Sequence, residues 1–333
     1  MCVMKLFAAL FIASNVILAT IASAKDWVVY EGKEGPGVGK HIVLISGDEE
    51  YRSEEALPML GKILAVRHGF KCTVLFPINP DDGTIDPNIQ TNIVGLEHIA
   101  SANLVIMALR FREFPDDQMK FFVDHLNAGK PILALRTSTH AFQYNRNKQS
   151  RYAKYDWRST QWTGGFGLQV LGDTWISHHG AHGKESARGL INGRFESHPL
   201  LRGVKDIWGP SDVYGIKNLP ADARLLVLGQ VLKGMKPDDP PTAKSIMPMI
   251  WTRDYKTEAG TTAPIMCSTI GAAVDLESED LRRLFVNFCY WSTGLGEKIP
   301  AKNNVDYVGD FKPTFFGFNG ARKGVKPEEH ELK

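Results

Sequence analysis

Cysteine is scarce in this sequence, which has four among its 333 residues. Cys2 lies near the first residue, and Cys72, Cys267 and Cys289 are each embedded in apolar sequence. Three cysteines in such surroundings are typical of buried thiols, and their odd number argues against a disulfide framework. We therefore expect free thiols in the core.

An excess of either charge is also missing. The sequence has 39 Lys and Arg against 37 Asp and Glu, which gives a formal net charge of +2. It contains no basic run with interleaved aromatic residues, whereas binding a phosphate backbone requires a concentrated positive face. This balance argues against nucleic acid and favours a small-molecule partner, and it leaves a homo-oligomer open.

Long apolar runs are missing after the first 24 residues. The apolar run 6–21 follows Lys5 and precedes Ala22-Ser23-Ala24, which is the pattern of a secretory signal peptide cleaved before Lys25. Later apolar segments are shorter than a membrane helix requires. We therefore expect a signal peptide at residues 1–24 and a mature protein that is exported, to the periplasm or the extracellular space, without stable membrane insertion.

The sequence does contain a series of short apolar runs that alternate with amphipathic helices. The runs are nearly continuous in Val, Ile and Leu, as expected for parallel strands buried on both faces. The predicted strands are 41–46, 70–76, 104–109 and 131–135, and the predicted helices are 53–67, capped by Ser53, then 89–100 and 115–128.

Beyond residue 140 the alternation becomes weaker. An aromatic, glycine-rich insertion covers residues 144–215, and loops of this length are usually functional. Further strands are predicted at 225–231, 247–252 and 264–269, followed by a helix capped by Ser278. We expect one α/β domain at residues 40–300, built as a three-layer sandwich with a mostly parallel central sheet, and a C-terminal tail at 301–333 packed on it.

Three of the ten histidines crowd into the segment 178–183. Imidazole is a common ligand for zinc-type metals and a common acid or base near neutral pH. The segment predicts a site for a divalent metal such as zinc, manganese or nickel, although a polar surface loop is the alternative. The candidate ligands are His178, His179 and His182; consecutive histidines point to different sides, so two of them would share a metal with a carboxylate such as Asp48, Glu49 or Asp212.

The loops that follow three predicted strands are rich in charged side chains. Ligands of open parallel sheets bind at the carboxyl ends of the strands, and the loops 46–53, 110–113 and 136–140 meet there. Their arginines and carboxylates are suited to a polyhydroxylated or anionic ligand. The alternative for the acids is a structural role at the start of the following helix. The predicted substrate-binding residues are Glu49, Arg52, Arg110, Arg136, Trp162 and Tyr214.

Three residues are candidates for catalysis: His140, His182 and Asp48. A histidine that follows a strand end can act as a general acid or base. Ser138 occupies a strand–turn position of the same kind, but the sequence lacks Gly-x-Ser-x-Gly around it, so a serine nucleophile is not expected.

The segment 40–47, the segment 130–135 with Thr139-His140, and the segment 178–183 together resemble the ThuA-like (trehalose utilisation) family, over roughly residues 40–300. The resemblance implies a flavodoxin-like or class I glutamine amidotransferase-like fold and a place in carbohydrate metabolism, with disaccharides or their keto derivatives as substrates. The nucleophilic cysteine of the amidotransferases would fall on Arg136, which stays protonated and cannot attack. Cysteine-dependent amidotransferase activity is therefore not expected.

Two functions are compatible with these patterns. The first is an exported enzyme, a hydrolase or lyase, that acts on a glycoside or keto-sugar with the assistance of a divalent metal. The alternative is a non-catalytic sugar- or metal-binding protein; a scaffold has little need for so many convergent polar groups. Trp157, Trp162 and Trp175 flank the histidine segment and could stack on pyranose faces, although packing in the core or in a lid is their simpler role.

Overall fold

A computed structural model describes residues 26–332, so the predicted signal peptide lies outside the described residues. One ten-stranded sheet dominates this part of the chain. The strands are β1 (Trp27–Tyr30), β2 (His41–Gly47), β3 (Lys71–Leu75), β4 (Leu104–Leu109), β5 (Ile132–Leu135), β6 (Ala187–Ile191), β7 (Ile207–Gly209), β8 (Arg224–Val231), β9 (Met247–Lys256) and β10 (Thr262–Ser268). The α-helices are α1 (Ser53–His68), α2 (Asp116–Asn127) and α3 (Glu279–Tyr290).

The sheet is mixed, which corrects the expectation of a mostly parallel one. Its order is β1-β3-β2-β4-β5-β10-β9-β8-β6-β7. Four neighbouring pairs, from β3 through β2, β4 and β5 to β10, are parallel, and the other five pairs are antiparallel. The physical reason is that β9 and β10 form a hairpin, and β8 and β6 pair beside it without the helical crossovers that parallel pairing requires.

Helices cover both faces of the parallel half, as a three-layer α/β fold requires. On one face α1 and α3 share a core with the sheet through residues such as Leu60, Leu64 and Phe285. On the other face Phe122 of α2 and Phe166 of the insertion share a second core with the sheet. The strands between the two cores are buried on both sides, which is why they are continuous in apolar residues.

Two local predictions differ from the structure. The predicted helix 89–100 is replaced by a 3₁₀-helix over Leu96–Ser101. Ser53 does not cap α1; its hydroxyl accepts hydrogen bonds from the backbone N–H groups of Gly47 (3.2 Å) and Asp48 (3.1 Å). The serine therefore holds the loop after β2 instead of the helix end.

Residues 301–332 lie against the body of the protein. The Val325 carbonyl accepts a hydrogen bond from the backbone of Ile85, and the His330 ring stacks on Phe76. Near the carboxyl end of β2, Phe316 packs on Tyr51. Among residues 26–332, none of the helices has both the length and the hydropathy needed to cross a bilayer.

Candidate functional site

Backbone strain is concentrated at the carboxyl ends of β2, β4 and β5. Arg52, Phe111 and Arg136 have φ values of 59°, 53° and 43°, and these are three of the four non-glycine residues with positive φ in the described chain. Left-handed backbone in such residues costs free energy and clusters at functional sites. The three predicted loops therefore converge on one strained region beside the switch in strand order.

Asp48 shapes the first of these loops. Its Oδ1 accepts hydrogen bonds from the backbone N–H groups of Glu50 (2.8 Å) and Tyr51 (3.1 Å), and its Oδ2 accepts one from the Thr137 hydroxyl. The side chain is buried and both oxygens are engaged. The structure therefore gives Asp48 a structural role in place of the predicted catalytic one.

Glu49 ties the first loop to the second. Its carboxylate forms ion pairs with Arg110 and with Arg112, the latter at 2.8 Å. Arg112 is fully buried, whereas the Arg110 side chain keeps 18% of its surface exposed. Of these three side chains, Arg110 is the most exposed, followed by Glu49 at 10%.

Arg136 occupies the centre of the site beneath its surface. Its guanidinium lies between the rings of Tyr51 and Tyr214, at 4.1 and 4.5 Å from their centroids. It donates to the carbonyls of Asp212 (2.5 Å) and Thr269 (2.7 Å), and also to Asp212 Oδ1 (3.2 Å). Arg136 is only 1% exposed, so in this structure it positions its neighbours, which differs from the predicted contact with substrate. Tyr214, likewise predicted to bind substrate, is also 1% exposed and supports the site from below.

Arg52 is a second buried positioning residue. Its guanidinium donates to the carbonyls of Gly317 (2.6 Å) and Glu50 (3.2 Å). The backbone N–H of Gly317 in turn donates to the Glu50 carbonyl at 2.8 Å. The predicted substrate contact of Arg52 is therefore replaced by a role that fastens the C-terminal segment to the first loop.

His178, His182 and Asp212 converge at the surface end of the site. One ligand atom from each lies within 4.8 Å of the other two. His178 Nδ1 is 2.9 Å from Asp212 Oδ2, and His182 Nδ1 is 3.3 Å from Oδ1. Burial raises the pKa of Asp212, but the hydrogen bonds from the two histidines and the charge of Arg136 outweigh it and hold the pKa below its usual range. Asp212 is therefore a buried carboxylate that faces two imidazoles.

The histidine segment reaches Asp212 because its backbone pairs with the strand-like segment beside it. His178 forms an isolated antiparallel β-bridge with Tyr214, and the N–H of His179 donates to the Val213 carbonyl at 2.9 Å. A Cβ on Gly180 would lie 2.7 Å from Asp212 Cβ, so only glycine permits this approach. The side chain of His179 turns away, with Nε2 2.7 Å from the Ser245 carbonyl. His179, a predicted metal ligand, is thus separate from the other two.

His140 lies at the floor of the site. It is 3% exposed, and its ring packs against Phe111, Trp175 and Tyr214. Burial, together with the charges of Arg110 and Arg136, holds the pKa of His140 well below its usual value. The imidazole is therefore neutral at physiological pH.

Two of the three flanking tryptophans line the site. Trp175 packs against His178 and against Trp157. Trp162 instead packs on Tyr155, with Lys154 above its ring. The surroundings of Trp162 therefore differ from those expected of a substrate-binding residue.

Sequence reasoning missed Glu50 and the C-terminal aromatic residues. Glu50 Oε1 lies 3.3 Å from His182 Nε2, and Oε2 lies 3.7 Å from Arg110 Nε. Phe316 packs on His182 with a centroid separation of 5.1 Å. Glu50 directly follows Asp48 and Glu49, which were both candidates. Which of these three acids faces the histidines depends on the φ of Arg52 and on the turn that Asp48 stabilises. The sequence predicts that the tail packs on the domain, but it does not signal that Phe316 reaches His182, which lies 134 residues earlier in the chain.

No protein-family profile and no curated protein sequence matches this chain. Among solved structures, it is similar to a ThuA-like protein from Parabacteroides merdae, with a TM-score of 0.50 and 14% identity over 84% of this chain and 97% of that chain. A ThuA-like protein from Bacteroides uniformis gives a TM-score of 0.49 and 14% identity over 78% and 93% of the two chains. The glutaminase domain of Trypanosoma brucei CTPS gives 0.37 and 7% identity over 80% and 98%.

These similarities concern the fold alone, because sequence identity is low and fold does not determine chemistry. The resemblance inferred from the sequence is confirmed at that level. The chain therefore has the ThuA-like fold.

Proposed function

We propose that this protein binds a divalent metal through His178, His182 and Asp212 and acts on a glycoside or keto-sugar. The observation that carries the proposal is the convergence of two imidazoles and one buried carboxylate within 4.8 Å. They lie above a buried, strained region in which Arg136 fixes Asp212. Groups held this firmly are suited to binding one ion and one substrate.

The donor set suits a zinc-type ion. Two histidines and a carboxylate are the protein ligands of many catalytic zinc sites, with metal–ligand distances of about 2.0–2.2 Å and a fourth position left open. Asp212 Oδ1 already accepts a hydrogen bond from Arg136 at 3.2 Å, while Oδ2 faces His178. His178, His182 and Asp212 would hold the ion, and Arg136 would hold the Asp212 carboxylate as an outer partner.

A divalent metal at this position would polarise a carbonyl or lower the pKa of a water molecule. The chain itself would orient the substrate. Arg110 supplies a partly exposed guanidinium for hydroxyl or carbonyl oxygens. His140 stays neutral, so it serves as a hydrogen-bonding group at the floor and not as an imidazolium donor.

A carbohydrate is the proposed substrate class for two reasons. Half-buried Trp157 and Trp175 line the site, and aromatic rings suit the apolar faces of sugars. The ThuA-like resemblance points in the same direction, since that family is linked to trehalose utilisation. The mixture of one arginine, one neutral histidine and aromatic walls favours an uncharged polyhydroxylated ligand over a strongly anionic one.

A non-catalytic sugar- or metal-binding protein is the second candidate. It is favoured by the position of Arg136 at the strained turn after β5, where an amidotransferase-type nucleophile would stand. It is also favoured by the burial of His140. The two candidates differ in turnover, because an enzyme would convert a bound glycoside or keto-sugar and a binding protein would release it unchanged.

Replacing the two converging histidines tests the metal site. The double variant His178→Ala/His182→Ala should lose stoichiometric zinc, manganese or nickel because two of three protein ligands are gone. Metal content is measured by elemental analysis of the tag-free protein and by calorimetric titration. We expect at least a 100-fold weaker affinity.

His179→Ala is the matched control, since His179 belongs to the same segment but faces Ser245. It should retain the metal. Equal loss in the control and in the double variant would attribute binding to the segment as a whole and not to the three converging groups. A wild-type protein that takes up none of the three metals would overturn the proposed site.

A further inference from the structure

A cavity of about 290 Å³ lies between α1 and the C-terminal segment, and we call it the tail cavity. One side is lined by α1, through residues such as Glu54 and Met59, and the other by residues between Val308 and His330. The volume is close to the lower limit for small-molecule sites, which is about 300 Å³. None of the lining residues is one of the three converging ligands or an aromatic residue that packs on them. The tail cavity is therefore separate from the candidate metal site.

Two buried polar groups of the lining have no partner. Glu54 is 7% exposed, and neither of its carboxylate oxygens has a hydrogen-bond partner in another of the described residues. His330 Nε2 is likewise buried without such a partner. Buried polar atoms are nearly always hydrogen-bonded, and each one left unpaired costs free energy. A ligand in the tail cavity that supplied hydrogen-bond donors would remove this cost.

The charges around the tail cavity favour a cation over an anion. The lining contains four acids and three bases, which are Glu54, Glu55, Asp310 and Glu329 against Lys62, Lys312 and Arg322. Glu55 lies 3.4 Å from Arg322, and Asp310 lies 3.8 Å from Lys312, so two of the acids are paired within the lining. The lining therefore has an excess of negative charge when all of these groups are ionised.

Apolar side chains form much of the remaining lining. Met59 of α1 and Ile85 of the loop after β3 are buried, and Phe311 and Val325 of the C-terminal segment pack against the same core. An inorganic cation would leave these side chains without contact, whereas a short hydrocarbon body would cover them. The ligand should therefore combine a positive charge with an apolar body.

We propose that the tail cavity binds a small primary amine whose ammonium group pairs with the Glu54 carboxylate and whose apolar body packs on Met59 and Phe311. A primary ammonium has three N–H donors and no acceptor. These donors match in number the two oxygens of Glu54 and the Nε2 atom of His330. The His330 ring can accept because burial lowers its pKa to about 4, which leaves it uncharged at neutral pH.

Calorimetric titration with phenethylamine, phenethyl alcohol and methylamine tests the proposal at pH 8, near the pKa of Glu54. The first two compounds share one apolar body and differ in charge, whereas methylamine has the charge with almost no body. The wild type should bind phenethylamine about tenfold more tightly than either of the others, because only phenethylamine satisfies both parts of the lining.

Three variants locate the binding. Glu54→Gln should bind phenethylamine about tenfold more weakly and phenethyl alcohol as before, because the variant removes the ion pair alone. Glu329→Gln is the matched control, since Glu329 lines the same cavity but accepts the backbone N–H of Lys326 at 2.9 Å, and it should keep the preference for the amine. Val308→Trp places a larger side chain in the lining and should abolish the binding of both ligands, with circular dichroism as the check that the variant is folded.

Failure of the wild type to bind phenethylamine, or equal affinities for the amine and the alcohol, would overturn the proposal. Equal losses in Glu54→Gln and Glu329→Gln would do the same, because the preference would then reflect general charge and not the unpartnered carboxyl. Unchanged amine binding by a folded Val308→Trp protein would place the ligand outside the tail cavity. The metal site stands or falls independently, since it shares no residue with this lining.

Discussion

Glu54, in the first turn of α1, is buried. Neither of its carboxylate oxygens has a hydrogen-bond partner in another of the described residues. Burial raises its pKa to about 8; its own backbone N–H and the charge of Arg52 oppose that rise, and Glu55 and Asp48 add to it. Since the unfolded side chain ionises near its ordinary pKa of 4.5, folding is penalised progressively as pH rises from about 4.5 to about 8.

Glu54→Gln should remove this penalty. At pH 5 the variant should be more stable than the wild type by less than about 1 kcal/mol, because Glu54 is protonated when folded and about three quarters ionised when unfolded. At pH 8 it should be more stable by on the order of 3 kcal/mol, because only the wild type must suppress an ionisation. Urea unfolding at the two pH values measures the difference.

Glu55→Gln is the control for that experiment, because Glu55 has partners in Thr314 and Arg322. It should bring no gain at pH 8. A Glu54→Gln variant whose stability relative to wild type does not change between pH 5 and pH 8 would show that the carboxyl is ionised and paired in solution.

For individual residues, the sequence predicted which ones lie at the site better than it predicted what each one does there. His178, His182 and Asp212 were all candidates, and the prediction that only two of the histidines meet one carboxylate agrees with the geometry. The roles of Asp48 and Arg136 differed because hydrogen bonding within a loop depends on backbone φ values that composition does not specify.

The strained turn after β5 is the element on which the site depends. It places Arg136 under the site, where the guanidinium donates to the carbonyls of two residues. Asp212 lies in the loop between β7 and β8, and Thr269 directly follows β10. One side chain thus connects the parallel strands to the histidine segment. Its removal would leave a buried carboxylate and two carbonyls without their donor.

Arg136→Met should therefore destabilise the protein by about 3–5 kcal/mol and weaken metal binding at Asp212. Arg136→Lys should lose less stability because the charge remains. A lysine cannot, however, reproduce the four hydrogen bonds of the guanidinium, which reach two carbonyls, Asp212 Oδ1 and, at 3.0 Å, the Tyr51 hydroxyl. Chemical unfolding and calorimetric metal titration measure the two effects. A stable Arg136→Met protein with unchanged metal affinity would contradict the positioning role.

Elements in the parallel half were predictable because strands buried on both faces have a distinctive composition. The runs that became β2, β4 and β5 and the apolar stripe of α2 were located to within a few residues. In the antiparallel half, the predicted strands 225–231, 247–252 and 264–269 correspond to β8, β9 and β10. Their antiparallel direction was not predicted, since it depends on the connections between strands, and β6 and β7 were missed because they are short pieces within the insertion. β1 was missed for the same reason, as it has four residues and one neighbour.

For the whole molecule, we propose export to the periplasm or beyond. The proposal rests on the sequence pattern of residues 1–24, which lie outside the described residues. N-terminal sequencing of the protein recovered from the extracytoplasmic fraction of the source organism should start at Lys25. An intact Met1 on cell-associated protein would contradict it.

Removal of those residues leaves a net charge near +1, so surface charge would not concentrate an ionic ligand.

The order of synthesis has a consequence for how this molecule matures. The groups that converge at Asp212 all come from the first two thirds of the chain, but Phe316 and Phe318 follow β10 and α3, the last strand and the last α-helix of the described residues. During translation the ligand groups can assemble while one side of the site is still missing. A chain cut before residue 314 would lack the Gly317 carbonyl that Arg52 binds and the Phe316 ring that packs on His182, so the first loop and the histidine segment would lose their C-terminal support.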